Sequence, residues 1–345
     1  MKVKKLHTLI VLAGMALVSS CKNEEWVFPD FEYTTVYFAY QSPVRTITLG
    51  EDLYDTSLDN AYKCKIMATK GGAYTNKSDI TVDIKVDNSL CDRLVFNNSS
   101  QKVLPMPANY YSLAANQIII PKGSISGGVE VQLTDAFFAD PAAIRNTYVI
   151  PVVMNKVQNA DSLLRGKTAL ASPRRTVGSD WDITPKDYIL YAVKYINPWH
   201  ATYLRRGKDV ITGKAGNTAI NKTQVRRGVY IENSEVCNVT TRSLKQVVFS
   251  NAIKSVTGTD MPYRLILTFD EANNCTITTD ATDYTVKGTG RFVKRGDVKS
   301  WGNQDRDVLH LNYEVDFNNA HLTTTDTLVV RNRGVVAETF IPVYQ

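Results

Sequence analysis

Histidine and cysteine are scarce in this 345-residue chain, at 4 and 5 copies. So few ligands leave little material for a metal cage or a disulfide scaffold, and no His-x-x-x-His or Cys-x-x-Cys spacing groups them. The glycine-rich phosphate loop and the Gly-x-Ser-x-Gly elbow are missing too. No metal and no cofactor is therefore expected. Charged residues are 21% and apolar residues 43%, ordinary globular usage that excludes a disordered tail or a collagen-like rod. Long apolar runs are also lacking: none reaches the 18 residues of a membrane-spanning helix. Aromatic residues, by contrast, are plentiful, with 18 Tyr, 11 Phe and 4 Trp.

The first twenty residues carry an address. Lys2, Lys4 and Lys5 precede an apolar run from Leu9 to Val18, and Ser19 and Ser20 lead into Cys21. That is the layout of a secretory signal peptide, too short to span a bilayer. Val18-Ser19-Ser20-Cys21 resembles a bacterial lipobox, which implies lipidation of Cys21 and a membrane anchor at the new N-terminus. The acidic pair Glu24-Glu25 in the next residues resembles the export signal of Bacteroidetes surface lipoproteins. The expected location is the outer membrane, facing the cell exterior. Removal of residues 1–20 takes three lysines with it, so the formal charge falls from +6 to +3. Residues 186–345 hold 21 basic and 16 acidic groups, a mild surplus without the clustering of a nucleic-acid footprint. The pairs Arg205-Arg206, Arg226-Arg227 and Lys294-Arg295 read as solvated strand ends, with an acidic-ligand patch as the alternative.

The dominant hydrophobic period is two, the signature of strands with one buried face. Cys64, Ile66 and Ala68 alternate with Lys63, Lys65 and Met67, and Ile80, Val82 and Ile84 alternate with polar neighbours. Tyr148 to Met154 is almost wholly apolar, as a strand covered on both faces would be. Residues 34–158 thus predict an immunoglobulin-like β-sandwich, preceded by a lipidated tether over 21–33. The pattern lapses over 159–186, which reads as a linker. It resumes in 187–345, where Leu309, Leu311, Tyr313, Val315 and Phe317 share one face. Gly288 and Gly290 mark a bent strand where bulk would clash. Hairpin succession favours an antiparallel barrel, so the fold class is all-β. Cys64 with Cys91, and Cys237 with Cys275, permit one bridge per domain. Small core hydrophobes are an equally good reading.

Longer stretches carry a resemblance. Val103-Leu-Pro-Met-Pro-Ala-Asn-Tyr-Tyr-Ser-Leu, Ile118-Ile-Ile-Pro-Lys-Gly-Ser-Ile-Ser-Gly-Gly-Val-Glu-Val-Gln-Leu and Thr147-Tyr-Val-Ile-Pro-Val resemble an N-terminal domain of unknown function common in Bacteroidetes lipoproteins. That domain is often placed before family-18 endoglycosidases. Tyr195-Ile-Asn-Pro-Trp-His-Ala-Thr-Tyr-Leu-Arg-Arg-Gly and Lys299-Ser-Trp-Gly-Asn-Gln-Asp-Arg resemble a C-terminal domain with a calycin-like barrel. The resemblance implies a surface lipoprotein of a glycan-utilisation system, working beside an outer-membrane transporter or a glycosidase. It transfers no catalytic residue, because the Asp-x-x-Asp-x-Asp-x-Glu spacing of a family-18 glycosidase does not occur here.

Glu314 and Asp316 share a polar strand face about 7 Å apart, within the range of a glycosidase pair. Carboxylates on such faces are usually just solvated, so the chain reads as non-catalytic. Trp199, His200, Tyr203 and Arg205 follow the turn signal Asn197-Pro198, while Trp301, Asn303 and Arg306 fall in a second polar loop. Flat aromatic rings among hydrogen-bond donors recognise the C–H faces of sugars, and loops at one barrel rim can converge. These seven residues are the candidate glycan site; the plainer reading is that Trp199 and Trp301 plug the barrel end. Alternatives are a structural or adhesive lipoprotein that binds a partner protein, and a barrel holding an apolar ligand.

Overall fold

The structure, a computed structural model, describes residues 30–345 except 98 and 255–259. Cys21, Trp26, the signal segment and most of the tether lie outside the described residues. The described chain is all-β, as expected, with a sheet domain followed by a closed eight-stranded antiparallel barrel.

The first domain uses β1 (Thr34–Tyr37), β2 (Pro43–Thr48), β3 (Lys63–Gly72), β4 (Ile80–Val86), β5 (Leu94–Phe96) and β6 (Leu104–Pro105). It continues through β7 (Tyr111–Leu113), β8 (Gln117–Ile120), β9 (Ser126–Leu133), β10 (Tyr148–Gln158), β11 (Ser162–Leu163) and β12 (Tyr188–Ile196). One sheet runs β11-β1-β3-β9-β7, and the facing sheet contains β2-β12-β10-β4-β8. Alternation decides what lies between them. Cys64, Ile66 and Ala68 of β3 and Val129, Val131 and Leu133 of β9 point inward, against Ile80, Val82 and Ile84 of β4.

The domain boundary departs from the sequence reading. Tyr188–Ile196, expected to open the barrel, is a central strand of the sandwich, parallel to β2 and antiparallel to β10. Its residues are apolar on both faces. Ile189, Tyr191, Val193 and Tyr195 enter the inter-sheet core, while Tyr188, Leu190 and Ala192 enter a second apolar layer with Leu94 and Phe96. A barrel strand wet on its outside would leave one of those faces in water; only a three-layer setting buries both. β10 is covered in the same way, by Ile150 and Val152 on one side and Val149 and Val153 on the other.

Residues 159–186 are likewise an excursion within the first domain rather than a linker. β11 adds to β1, Arg174 donates twice to Asp180 at 2.8 Å, and Arg175 meets the fully buried Asp187 at 3.2 Å. Trp181 docks by donating its indole N–H to the Arg174 carbonyl at 2.8 Å. Polar residues without periodicity form an ordered loop here because fixed ion pairs and backbone bonds replace apolar packing.

The barrel comprises β13 (Ala201–Gly213), β14 (Lys222–Arg226), β15 (Glu235–Ser243), β16 (Gln246–Lys254), β17 (Asp260–Phe269), β18 (Asn274–Thr278), β19 (Tyr284–Asp297), β20 (Arg306–Phe317) and β21 (Ala320–Asn332). β13 pairs with β21 to close the cylinder, and β14 is an extra strand on the upper half of β13. Tyr203, Phe249, Tyr263, Leu311 and Tyr313 fill the interior. An apolar guest would have to displace them, which weighs against the lipid-holding alternative. Gly288 and Gly290 behave as expected. A Cβ at Gly288 would lie 2.5 Å from that of Tyr313, and one at Gly290 would lie 2.6 Å from the His310 carbonyl.

All four described cysteines are free thiols, so neither permitted bridge forms. Burial pushes Cys64, Cys91, Cys237 and Cys275 each up to about 12, which keeps them protonated and inert.

The chain finally returns to the first domain. β22 (Glu338–Thr339) pairs with β2, and β23 (Pro342–Tyr344) pairs with β5. Phe340 lies 4.8 Å from Phe96, while Arg93 and Arg174 approach the Tyr344 ring at 4.7 and 4.5 Å. Phe340→Ala should therefore destabilise the first domain by about 3 kcal/mol. The urea midpoint of the whole chain, followed by circular dichroism, reads this; an unchanged midpoint would show that the tail only decorates the sandwich.

Candidate functional site

The crossing between the domains is Asn197–His200, a turn as its Asn-Pro sequence predicts. Asn197 is fully buried; its side chain donates to the Ser243 and Gln246 carbonyls at 2.9 and 2.8 Å. Arg333, just past β21, sits against this crossing without a carboxylate partner. It donates instead to the carbonyls of Leu49, Glu51, Asn197 and His200, at 2.6 to 3.1 Å. Burial lowers its pKa from the ordinary arginine value. Two of those carbonyls belong to the first domain and two to the crossing, so one guanidinium holds both.

Beside Arg333 a cleft of about 600 Å³ opens between the domains. Its first-domain wall is the loop Gly50–Leu53, pinned where Asn60 bonds Gly50 in both directions at 2.8 and 3.0 Å. Gly50 has φ +89°, and a Cβ there would come within 3.0 Å of that of Pro198, so glycine permits the close approach of the crossing. Phe292, Val330 and Trp301 supply apolar surface on the barrel side. Gln304, Arg331 and Asn332 stand exposed along its edge. Lys294 and Arg295 reach across to Glu51 at 2.8 and 3.4 Å. The Lys294 hydrogen bond and charge hold the Glu51 carboxyl below its ordinary pKa. Trp301 is half-buried; its indole donates to the Val330 carbonyl at 3.0 Å, and the Arg306 guanidinium stacks 3.6 Å from its ring centre.

Two family models match the chain. The domain of unknown function DUF5627 covers residues 198–334, and an N-terminal domain model covers residues 31–161. Among solved structures, a structural-genomics protein of unknown function from Bacteroides ovatus is 45% identical. The similarity covers 91% of this chain and all of that one, with a TM-score of 0.86. The chain belongs to this two-domain Bacteroidetes family of unknown function. A second Bacteroides ovatus protein of unknown function is 12% identical over 90% of this chain and 99% of its own, with a TM-score of 0.41. A third, from strain ATCC 8483 and provisionally described as a carbohydrate binding protein, is 13% identical over 70% of this chain and 66% of its own, with a TM-score of 0.27. No curated protein matches.

Within this family architecture the seven expected site residues separate. Trp301 and Arg306 line the cleft, and Asn303 sits exposed in the same loop at φ +53°. Trp199 does not face them. It closes the barrel end by stacking on Phe269, with centroids 3.9 Å apart and planes 7° from parallel, and donates to Asn273 at 3.2 Å. Tyr203 is wholly buried, donating to the Trp199 carbonyl at 2.7 Å. Arg205 lies inside the barrel with Asp326 at 3.0 Å and Glu235 at 3.3 Å. Period two places residues 201, 203 and 205 on one inward face, so Tyr203 and Arg205, two residues taken from a loop-like context, belong to a strand.

His200 is the remaining member. Its Nδ1 accepts from the Thr241 amide at 3.0 Å, and burial together with the Arg333 charge lowers its pKa to about 4. The residues that sequence reasoning missed, Glu51 and Arg333, act across the domain boundary and carry no local signal. His200 is neutral in the fold and protonates near pH 6.5 once unfolded. Its contribution to stability is thus present above pH 6.5 and lost as pH falls toward 4, by about 3 kcal/mol in all. Melting temperatures recorded between pH 7 and 4 should fall less steeply for His200→Gln than for the natural chain. Parallel slopes would overturn this reading.

Proposed function

We propose that this protein is a non-catalytic, lipid-anchored surface protein that holds an oligosaccharide in the interdomain cleft, for an outer-membrane transporter or a neighbouring glycosidase. The observation that carries the reading is the cleft itself. It is large enough for a small ligand, and it sets an indole and other apolar surface among side-chain donors and acceptors from two domains. Sugars offer that combination, apolar C–H faces ringed by hydroxyls. The Trp301–Arg306 stack supplies a rigid platform, and Gln304, Arg331 and Asn332 supply adaptable polar contacts.

The carboxylates favour binding over hydrolysis. A glycosidase acid needs a raised pKa. Glu314 is instead held down by Lys287 at 2.9 Å, and Asp316 by Lys214 at 2.6 Å and His321 at 2.9 Å. In the cleft, Asp305 and Asp307 accept backbone amides at 2.9 and 2.8 Å. The lipid anchor rests on the sequence around Cys21 alone.

Calorimetric titration of the purified chain with a panel of plant and host oligosaccharides tests the cleft. One or more should bind, and Trp301→Ala should weaken that binding about tenfold or more. Unchanged affinity in the variant would place the ligand elsewhere. Separately, cells fed an alkyne-tagged fatty acid should label the natural chain and leave Cys21→Ala unlabelled; equal labelling would remove the anchor.

A further inference from the structure

The paired cations of the barrel divide by strand alternation. Arg205 and Arg226 turn inward, where both meet Asp326, Arg205 at 3.0 Å and Arg226 at 2.6 Å. Arg226 also pairs with Asp209. Arg206, Lys208 and Arg227 are left on the outer wall. There they line a groove of about 380 Å³ together with Val225, Thr325, Thr327 and part of Arg226. Register fixes the arrangement. Arg206 lies opposite Thr327 and Lys208 opposite Thr325, while Thr327 lies opposite His310, itself opposite Arg291. The groove's floor includes the Gly207 backbone, whose Cβ position faces the lumen beside Asp326 and Arg226.

The nearby acids do not neutralise this surface. Asp209 and Asp326 are buried and engaged from the lumen by Arg205 and Arg226, and Glu235 pairs with those same two arginines. Among the described residues, Arg206 makes a single side-chain hydrogen bond, to the Ser234 hydroxyl at 3.3 Å. Three cations thus border a concave space that also presents two threonine side chains.

We propose that this outer groove binds the anionic substituent of an acidic polysaccharide, a carboxylate or a sulfate ester. A ligand with both anionic oxygens and hydroxyls matches cations beside hydroxyls. A lipid headgroup layer is flat and would meet the rim of the groove rather than its floor. The site is separate from the interdomain cleft and does not depend on it.

The test uses the full chain in mild detergent, titrated with polygalacturonate, dextran sulfate and neutral dextran. The chain should bind at least one acidic polymer about tenfold or more tightly than dextran, and the affinity should fall steeply with added salt. Arg206→Ala and Lys208→Ala, each checked for an unchanged melting temperature, should each weaken acidic-polymer binding about tenfold. In Trp301→Ala the preference for the acidic polymer over dextran should persist, so loss of the cleft and loss of the groove are read apart. The better of the two polymers tells carboxylate from sulfate. Equal binding of dextran would overturn the proposal, as would full affinity in both groove variants. So would binding only to vesicles containing an anionic phospholipid, an outcome that would assign the patch to membranes.

Discussion

The Arg333 guanidinium is the constraint on which the relative placement of the two domains rests. A buried arginine ordinarily meets a carboxylate, since the cost of leaving water is recovered by a charged partner. Here four carbonyls take that role, from Leu49, Glu51, Asn197 and His200. The planar fork of arginine can satisfy acceptors in several directions at once, which the compact ammonium of lysine cannot do in the same geometry. Each charge-assisted bond contributes about 1.5–3 kcal/mol, and each fixes a backbone atom rather than a mobile side chain. The Gly50–Leu53 wall of the cleft therefore stands at a set distance from the barrel rim before any ligand arrives. A site preorganised in this way spends less of its binding energy on ordering its own loops.

A second polar device works inside the barrel. β13 pairs with β15 over Ala201–Arg205 and with β14 over Gly207–Ile211, so the sheet divides at residue 206. Arg226, opposite Gly207, enters the lumen where that residue has no side chain. There Arg205 and Arg226 meet Asp209 and Asp326, with the Tyr313 hydroxyl donating to Asp326 at 3.0 Å. Buried ion groups of this kind seldom add net stability over apolar packing, but breaking one costs about 3–5 kcal/mol. What the network gains is register. A slip of β14 that carried Val225 opposite Gly207 would push Arg226 to the surface and leave Arg205 alone to face Asp209 and Asp326. The same alternation leaves Arg206, Lys208 and Arg227 outside, so burial of one set of charges exposes the other.

Period two made the strands legible. The alternation of β3, β4, β9 and β20, and the paired glycines of β19, are found where the residues imply. The two-face apolarity of Tyr148–Met154 also announced a doubly covered strand. Tyr188–Ile196 carried the same signal, yet chain order suggested the wrong sheet, because periodicity reports which faces are buried and not which neighbour buries them. Residues 159–186 looked like a linker for a related reason. Hydrogen bonds such as Arg174 to Asp180 order a polar loop without leaving an apolar pattern. Of the site, Trp301 and Arg306 were legible as an aromatic and a donor in one polar loop. Glu51 and Arg333 were not, since their partners lie across the domain boundary, some 280 positions apart between Arg333 and Leu49 or Glu51.

The two domains are continuous in sequence models but interleaved in structure. The matched segments, 31–161 and 198–334, omit both β12 and the tail from Glu338 to Tyr344. Yet β12 is the strand that joins β2 to β10, and Phe340 covers the outer layer formed by Leu94, Phe96 and Leu190. A fragment ending at residue 161 would expose both the inter-sheet core and that layer. The sandwich is completed only after the barrel has been traversed, so the barrel is held at its entry by Asn197 and at its exit by Arg333 and the tail. Two attachment points suppress the hinge bending that a single linker would allow. The recognition proposed for the cleft would then be governed by side chains, chiefly Trp301, Arg306 and the Lys294–Glu51 bridge, rather than by closure of one domain on the other.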